Sequence, residues 1–267
     1  MKKLVSAPYL LWMAIFIIVP LIMVAYFALT DTNGAFTLDN LAAVSQYSNI
    51  FIRSIWLAAV ATVICLIIAY PLALILANTD KSYQSTVLMI VMLPMWMNFL
   101  LRTLAWQTLL EKNGVINSVL SFLHLPALEI INTPYAIILG MVYNFLPFMV
   151  LPIYNVLIKI DRNVINAARD LGANSVQTFW KVIFPLSVPG VISGITMVFV
   201  PALTTFVISS LLGGSKILLI GNVIEQEFTK GSNWHLGSGL SLVLMIFILL
   251  SMALIAKYDK EGEGNAF

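Results

Sequence analysis

The sequence predicts an all-α integral membrane protein with six transmembrane helices, and two observations carry that reading. Apolar residues make up 60% of the 267-residue chain and charged residues only 10%, against about half and a quarter in a soluble domain. The apolar residues also gather into six stretches, at 8–29, 54–77, 86–110, 134–158, 186–212 and 239–257. Each is close to the ~20 residues that cross about 30 Å of hydrocarbon as a helix.

The first stretch follows Met1-Lys2-Lys3, as a signal peptide would. Its apolar run continues to about Leu29 without a small-residue cleavage site, so it reads as an uncleaved span. An even number of spans puts both termini on one side. With the termini inside, Lys2, Lys3, Lys81, Lys159, Arg162, Arg169, Lys181, Lys257 and Lys260 are cytoplasmic. Arg53, Arg102, Lys112, Lys216 and Lys230 then lie toward the outside. The nine-to-five balance favours a cytoplasmic amino terminus by the positive-inside rule.

The remaining composition mainly excludes chemistry. Cys65 is the sole cysteine, so no disulfide forms within the chain. His124 and His235 stand apart, with no ligand at metal-binding spacing, and no metal site is expected. Gly213-Gly214-Ser215-Lys216 lacks the spacing and the following hydroxyl of a phosphate loop, so ATP hydrolysis by that route is excluded. No Asp, Glu, Lys or His stands inside a span; Arg102 is the one exception and reads as snorkelling to the outer interface or bonding to loop carbonyls. A proton-coupled carrier or an intramembrane enzyme needs more than this.

Candidate path residues are therefore polar groups beside helix-bending prolines. Trp96 and Asn98 follow Pro94, Tyr143 and Asn144 precede Pro147, and Thr204, Thr205, Ser209 and Ser210 follow Pro201. Carbonyls freed by an intrahelical proline must face protein or a water-filled cavity in lipid, although packing kinks account for any single proline as well. Glu225 and Glu227, in the loop before the last span, read as an entry funnel or as solvated charges.

Residues 159–185 are the long interior segment that mixes charges, amides and apolar residues. Asp161 or Asn163 can cap a helix whose Val164, Ala168 and Leu171 share a face, with Gly172 at its left-handed end. Asn174 or Ser175 can cap a second, carrying Val176, Phe179, Trp180 and Ile183 on one side before Pro185 stops it. Inserting Asp161, Arg162, Arg169, Asp170 and Lys181 into the bilayer would cost about 12 kcal/mol or more at ~2.5–3.5 kcal/mol each. The segment thus lies outside the membrane, on the leaflet surface or docked to a partner. Its balanced charge and small residues, Ala167, Ala168 and Gly172, favour docking over an interfacial helix with a basic face.

Asn166-Ala167-Ala168-Arg169-Asp170-Leu171-Gly172-Ala173, continuing to Ile183-Phe184-Pro185, resembles the EAA loop of type I ABC importer permeases. LPMWMNFLLRTLAWQTLL, MVYNFLPFMVLPIY and LLGGSKILLIGNVI resemble the spermidine/putrescine permeases of that class, the PotB type. The resemblance implies a type I permease fold of six spans. Residues 1–51 would hold the first span and outer loop, 52–256 a five-span core with the coupling loop at 159–185, and 257–267 a cytoplasmic tail.

It implies that Asn166, Ala167, Ala168, Asp170, Gly172, Ala173, Phe179, Ile183 and Pro185 dock on an ATPase, and that Trp96, Asn98, Tyr143, Asn144, Thr204, Thr205, Ser209, Ser210 and Glu225 line a substrate path. The implied partners are a homologous permease of the PotC type, a homodimeric ATPase of the PotA type and an extracytoplasmic polyamine-binding protein of the PotD type, in a bacterial cytoplasmic membrane. ATP and Mg would be bound by the ATPase, with no cofactor in this chain, no enzymatic activity and no nucleic-acid partner. Asn166 departs from the usual leading Glu, which exchanges a charge-assisted contact for a neutral amide. A permease for another solute such as iron, sulfate or phosphate, or less favourably a stand-alone carrier, fits the same segments.

Overall fold

The computed structural model describes residues 7–214, 216–231 and 233–264; Lys2, Lys3, Ser215 and the last three residues of the expected tail lie outside them. In chain order the α-helices are α1 (Ala7–Met13), α2 (Val19–Ala28), α3 (Asp39–Ala42), α4 (Ser48–Asn78), α5 (Lys81–Trp96), α6 (Phe99–Leu110) and α7 (Val115–Phe122). They continue as α8 (Pro134–Leu157), α9 (Arg162–Asp170), α10 (Ser175–Thr178), α11 (Phe184–Thr204), α12 (Val207–Leu212), α13 (Ile220–Thr229) and α14 (Trp234–Gly264). Five helical segments among the described residues are long and apolar enough to cross a membrane, and a pair bent by 89°, Ser82–Trp96 with Phe99–Phe122, makes a sixth.

The core is a triangle of α4, α8 and α11. Helices in lipid gain nothing by hiding apolar surface from water, so they associate where small residues let their backbones approach. On α4, Ala58, Ala61, Cys65, Ala69 and Ala73 recur at helical spacing and are fully buried. On α11 the same role falls to Gly190-Val-Ile-Ser-Gly194. A Cβ on Gly190 would lie 2.8 Å from the Pro152 carbonyl oxygen and 3.1 Å from Ile153 Cα, and one on Gly194 2.6 Å from Met149 Sδ. Polar groups add to the joint: the Tyr70 hydroxyl donates to Ser187 Oγ at 2.7 Å, because the Ser187 proton goes to the Phe184 carbonyl at 2.8 Å.

The first span, α1 and α2 joined through a π-helical turn at Ala14–Ile18, packs against α14 and leaves most of its apolar surface uncovered within the chain. Its far end is pinned by side chains. Asn40 Nδ2 donates to the Thr30 and Ala28 carbonyls at 2.9 and 3.2 Å, and His235 Nδ1 lies 2.6 Å from the Thr30 oxygen.

Three expectations need correction. The third span is not one bent helix: it breaks at Met97-Asn98, where the Asn98 side chain accepts from the Leu100 and Leu101 amides at 2.9 and 3.2 Å and starts α6 anew. An extended residue with a side-chain acceptor is a stronger stop than the upstream proline. The fifth span ends early too, at Thr204, with Thr205 extended and α12 set off as a separate turn.

The third correction concerns Pro185, which does not stop the helix before it. Ser175–Thr204 is one 30-residue unit. A π-helical turn at Phe179–Ile183, closed by the Phe184 amide on the Phe179 oxygen, carries α10 into α11. Pro185 follows the π-helical turn directly, where the i→i−4 ladder is already interrupted and a missing N–H is accommodated.

Candidate functional site

Two regions hold the candidate residues, one at each end of α11. At its start lies the segment after α8. Asp161 caps α9 by accepting from the Asn163 amide at 2.9 Å, and Asn174 caps α10 in a reciprocal box with Gln177. Between them Gly172 adopts φ +86°. Its amide donates to the Arg169 oxygen at 2.8 Å and the Ala173 amide to the Ala168 oxygen at 3.0 Å, the paired bonds of a left-handed helix end. A Cβ on Gly172 would meet nothing within 4 Å, so the glycine is required by backbone angle and not by crowding.

The surface of this segment is apolar where water would favour polar groups. Leu171 is 89% exposed, Val176 66% and Trp180 59%, with Asn166, Ala167 and Asp170 exposed around them. Ala168 and Ala173 are half-buried, as are Phe179 and Ile183. Phe179 packs edge-on to Tyr70 at 5.7 Å and to Trp180 at 5.2 Å, fixing the segment to α4. Beneath α9 lies a cavity of about 530 Å³, lined among others by Asp80, Gln84, Arg162, Ile165 and Ile183. Large apolar side chains exposed together mark a contact surface for protein or membrane.

At the other end of α11 the chain makes a polar break. Asn222 organises it: its Oδ1 accepts from the Leu219 amide at 3.0 Å and lies 2.5 Å from Ser209 Oγ, while Nδ2 donates to the Phe206 oxygen at 3.0 Å and Ser210 Oγ at 2.7 Å. Ser54 Oγ accepts from the Ile220 amide at 2.8 Å and joins the break to α4. Ser209 is thus buried as a structural partner, whereas Ser210 is exposed. Thr204 bonds back to the Val200 oxygen at 3.0 Å, and Thr205 is buried at the helix end. Glu225 and Thr204 share a second cavity.

Neither Asn222 nor Ser54 stood out in the sequence; an amide directly after Leu219-Ile220-Gly221 was the available signal. Replacing Asn222 by Ala is expected to cost about 3 kcal/mol, since each buried partner left unpaired costs ~1–3 kcal/mol. Thermal unfolding of the detergent-solubilised chain checks this, and an unchanged midpoint refutes it.

The remaining path candidates lie apart from that break. Trp96 is 74% exposed at the end of α5, and Asn98 is occupied in capping. Tyr143 meets Trp106 edge-on at 5.3 Å. Asn144 is buried, donating to the Gly140 oxygen at 2.8 Å while its Oδ1 has no partner among the described residues. Arg102 corrects the snorkelling expectation. It is 7% exposed, its Nε and Nη1 have no partner among the described residues, and it sits 6.0 Å from the Phe99 ring centroid. The break at Met97-Asn98 turns α6 onto α12 and α8 and carries Arg102 inside with it.

Residues 69–259 match the family of binding-protein-dependent transport system inner membrane components. The chain belongs to that family. It is therefore an ABC importer permease, a membrane component and not an enzyme. The permease is 35% identical over 270 residues to the spermidine/putrescine transport system permease protein PotB of Haemophilus influenzae, covering 97% of this chain and 94% of that one. It is 36% identical to PotB of Escherichia coli K12, covering 90% and 91%, and 30% identical to the inner membrane ABC transporter permease protein YdcU of the same organism, covering 83% and 75%. Its fold matches a chain of a bacterial ABC transporter for the acidic polysaccharide alginate with a TM-score of 0.78 at 19% identity, covering 100% of this permease and 96% of that chain. A second alginate transporter structure, in complex with its pentasaccharide-bound periplasmic protein, matches at 0.75 and 18%, covering 95% and 92%.

Proposed function

We propose that this permease imports polyamines of the spermidine and putrescine type. In this reading it pairs with a second permease of the PotC type, is driven by a homodimeric PotA-type ATPase that binds ATP and Mg, and is fed by an extracytoplasmic PotD-type binding protein. The observation that carries the substrate is the 35% identity to a spermidine/putrescine permease over nearly the whole of both chains. Both termini and residues 159–185 are cytoplasmic, as the distribution of basic residues favours.

Docking on the ATPase is supported by the exposed Leu171, Val176 and Trp180 around the Gly172 turn. Asn166, exposed on α9, contributes an amide contact where a carboxylate is usual in the family. A polyamine carries several ammonium groups and wants carboxylates or aromatic faces. This chain contributes Trp96, Tyr143 and Glu225 to the path, with hydroxyl and amide groups around them, and the second permease contributes further acids.

ATPase activity of the reconstituted complex, with the binding protein loaded by spermidine, by putrescine or by nothing, tests the substrate. Stimulation by either polyamine is expected; its absence with both overturns the assignment and leaves the permease architecture standing. Uptake by complexes carrying Trp96→Ala, Tyr143→Ala or Glu225→Gln tests the path, and wild-type uptake in all three removes these residues from it.

A further inference from the structure

We infer that the cavity between α11, α13 and α14 is a subsite for one ammonium end and the adjoining methylene chain of the substrate, with Glu225 as its counter-ion. The inference rests on the polyamine reading and goes beyond it, because it selects one of two candidate regions and gives it a chemistry.

The cavity has a volume of about 560 Å³, within the ~300–1,000 Å³ of small-molecule sites. Its walls are apolar, formed by Ile224, Leu244, Met245, Ile248 and Leu249, and Glu225 is the only charged residue among those lining it. No Lys or Arg of the described residues lies within ion-pair reach of that carboxylate; the one pair found is Lys112 with Glu129, at 3.8 Å on the surface. Glu225 is half-buried, and one of its carboxylate oxygens lies 3.1 Å from Thr229 Oγ1, whose shorter bond, at 2.7 Å, goes to the Glu225 carbonyl. The other oxygen has no recorded hydrogen bond.

Gly221, in the first turn of α13, brings an amino end that favours anions, and it is outnumbered by features that favour a cation. The carboxyl-terminal ends of both α11, at Thr204, and α13, at Thr229, line it, and helix carboxyl ends attract cations. Broken helices that turn such ends on a shared cavity are a recurrent way of holding a cation within a transporter. Phe206 and Phe228 add two aromatic rings that can face an ammonium. Apolar walls suit the methylene chain and offer an anion nothing.

The competing region, the aromatic corner of Trp106 and Tyr143, has the opposite character. Arg102 lies one helical turn before Trp106 on α6, and Trp106 meets Tyr143 edge-on at 5.3 Å. A buried guanidinium with two nitrogens unpartnered among the described residues disfavours a resting ammonium there, so Tyr143 lines the path without holding the charged end of the substrate.

A reporter thiol in the assembled transporter tests this directly, because Cys65 is buried and leaves a low labelling background. Ser241 lines the cavity, and Ser241→Cys places a maleimide-reactive group there; Thr229→Cys gives a second, more exposed position if the first variant fails to assemble. Saturating spermidine is expected to slow labelling at least tenfold and adipate, an aliphatic dianion, to have no effect. Glu225→Gln is expected to abolish the protection, and Glu225→Asp to keep part of it. Labelling unchanged by spermidine in a complex that imports spermidine overturns the subsite and leaves the polyamine reading intact. So does a thiol that never reacts, which means that the cavity is filled in the complex. A complex that imports no polyamine overturns both.

Discussion

Gly190→Leu is expected to prevent the permease from packing its central triangle, with a loss of about 3 kcal/mol or more. Overpacking a well-filled site costs ~1–3 kcal/mol when side chains can shift. Here the nearest atoms are the Pro152 carbonyl oxygen at 2.8 Å and Ile153 Cα at 3.1 Å, which belong to the backbone of α8 and cannot swing aside. The helices must separate, and with them the core that α11 shares with α8, to which Val191 and Val198 contribute on one side and Met149, Val150 and Ile153 on the other. The readouts are the thermal midpoint in detergent and the yield of assembled complex. A Gly190→Leu permease that accumulates and unfolds like the wild type would falsify the close approach of α8 and α11.

Leu171→Asp is expected to leave membrane insertion and thermal stability unchanged while lowering substrate-stimulated ATP hydrolysis and uptake at least tenfold. The side chain is 89% exposed and packs on nothing within the chain, so its loss costs the isolated permease little. In a docked complex the same leucine would be desolvated, and burying a leucine contributes ~1.5–3 kcal/mol, which a carboxylate forfeits and then reverses. Gly172→Trp adds a second route to the same phenotype. The space around Gly172 is open, but its φ of +86° strains any L side chain by ~1–2 kcal/mol and tilts α9 against α10. If both variants hydrolyse ATP and import substrate at wild-type rates, the segment is not the docking surface.

Glycine pairs thus mark two different necessities in one chain, and only one was legible from the sequence. Gly172 announces itself, because a capped amphipathic stretch ending in Gly predicts a left-handed turn. Gly190 and Gly194 announce a contact whose other side, the Met149–Ile153 backbone, is 40 residues away and has no local signature. The same limit explains the third span. Its hydropathy is continuous through Met97, and only the capping preference of Asn98 hints that the helix restarts there. Arg102 was visible as the lone charge in a span, yet its burial depends on a bend that hydropathy does not register. The candidate path residues were chosen for polarity beside prolines. Ser209 and Asn98 have that polarity for local hydrogen bonds, and the cavity around Glu225 forms only when α11, α13 and α14 meet.

The unbroken run from Ser175 to Thr204 has a mechanical meaning. At 1.5 Å per residue its 30 residues make a rod about 45 Å long. One end of the rod carries the exposed Val176 and Trp180, beside a cavity of about 530 Å³ that leaves α9 room to shift. The other end is a wall of the Glu225 cavity. A tilt imposed at the Ser175 end would therefore reach the Thr204 end as displacement of the same continuous helix, without a relay of intervening side chains. The glycine pair facing α8, Gly190 at the middle of the rod and Gly194 toward its Thr204 end, is where it presses closest on its neighbour.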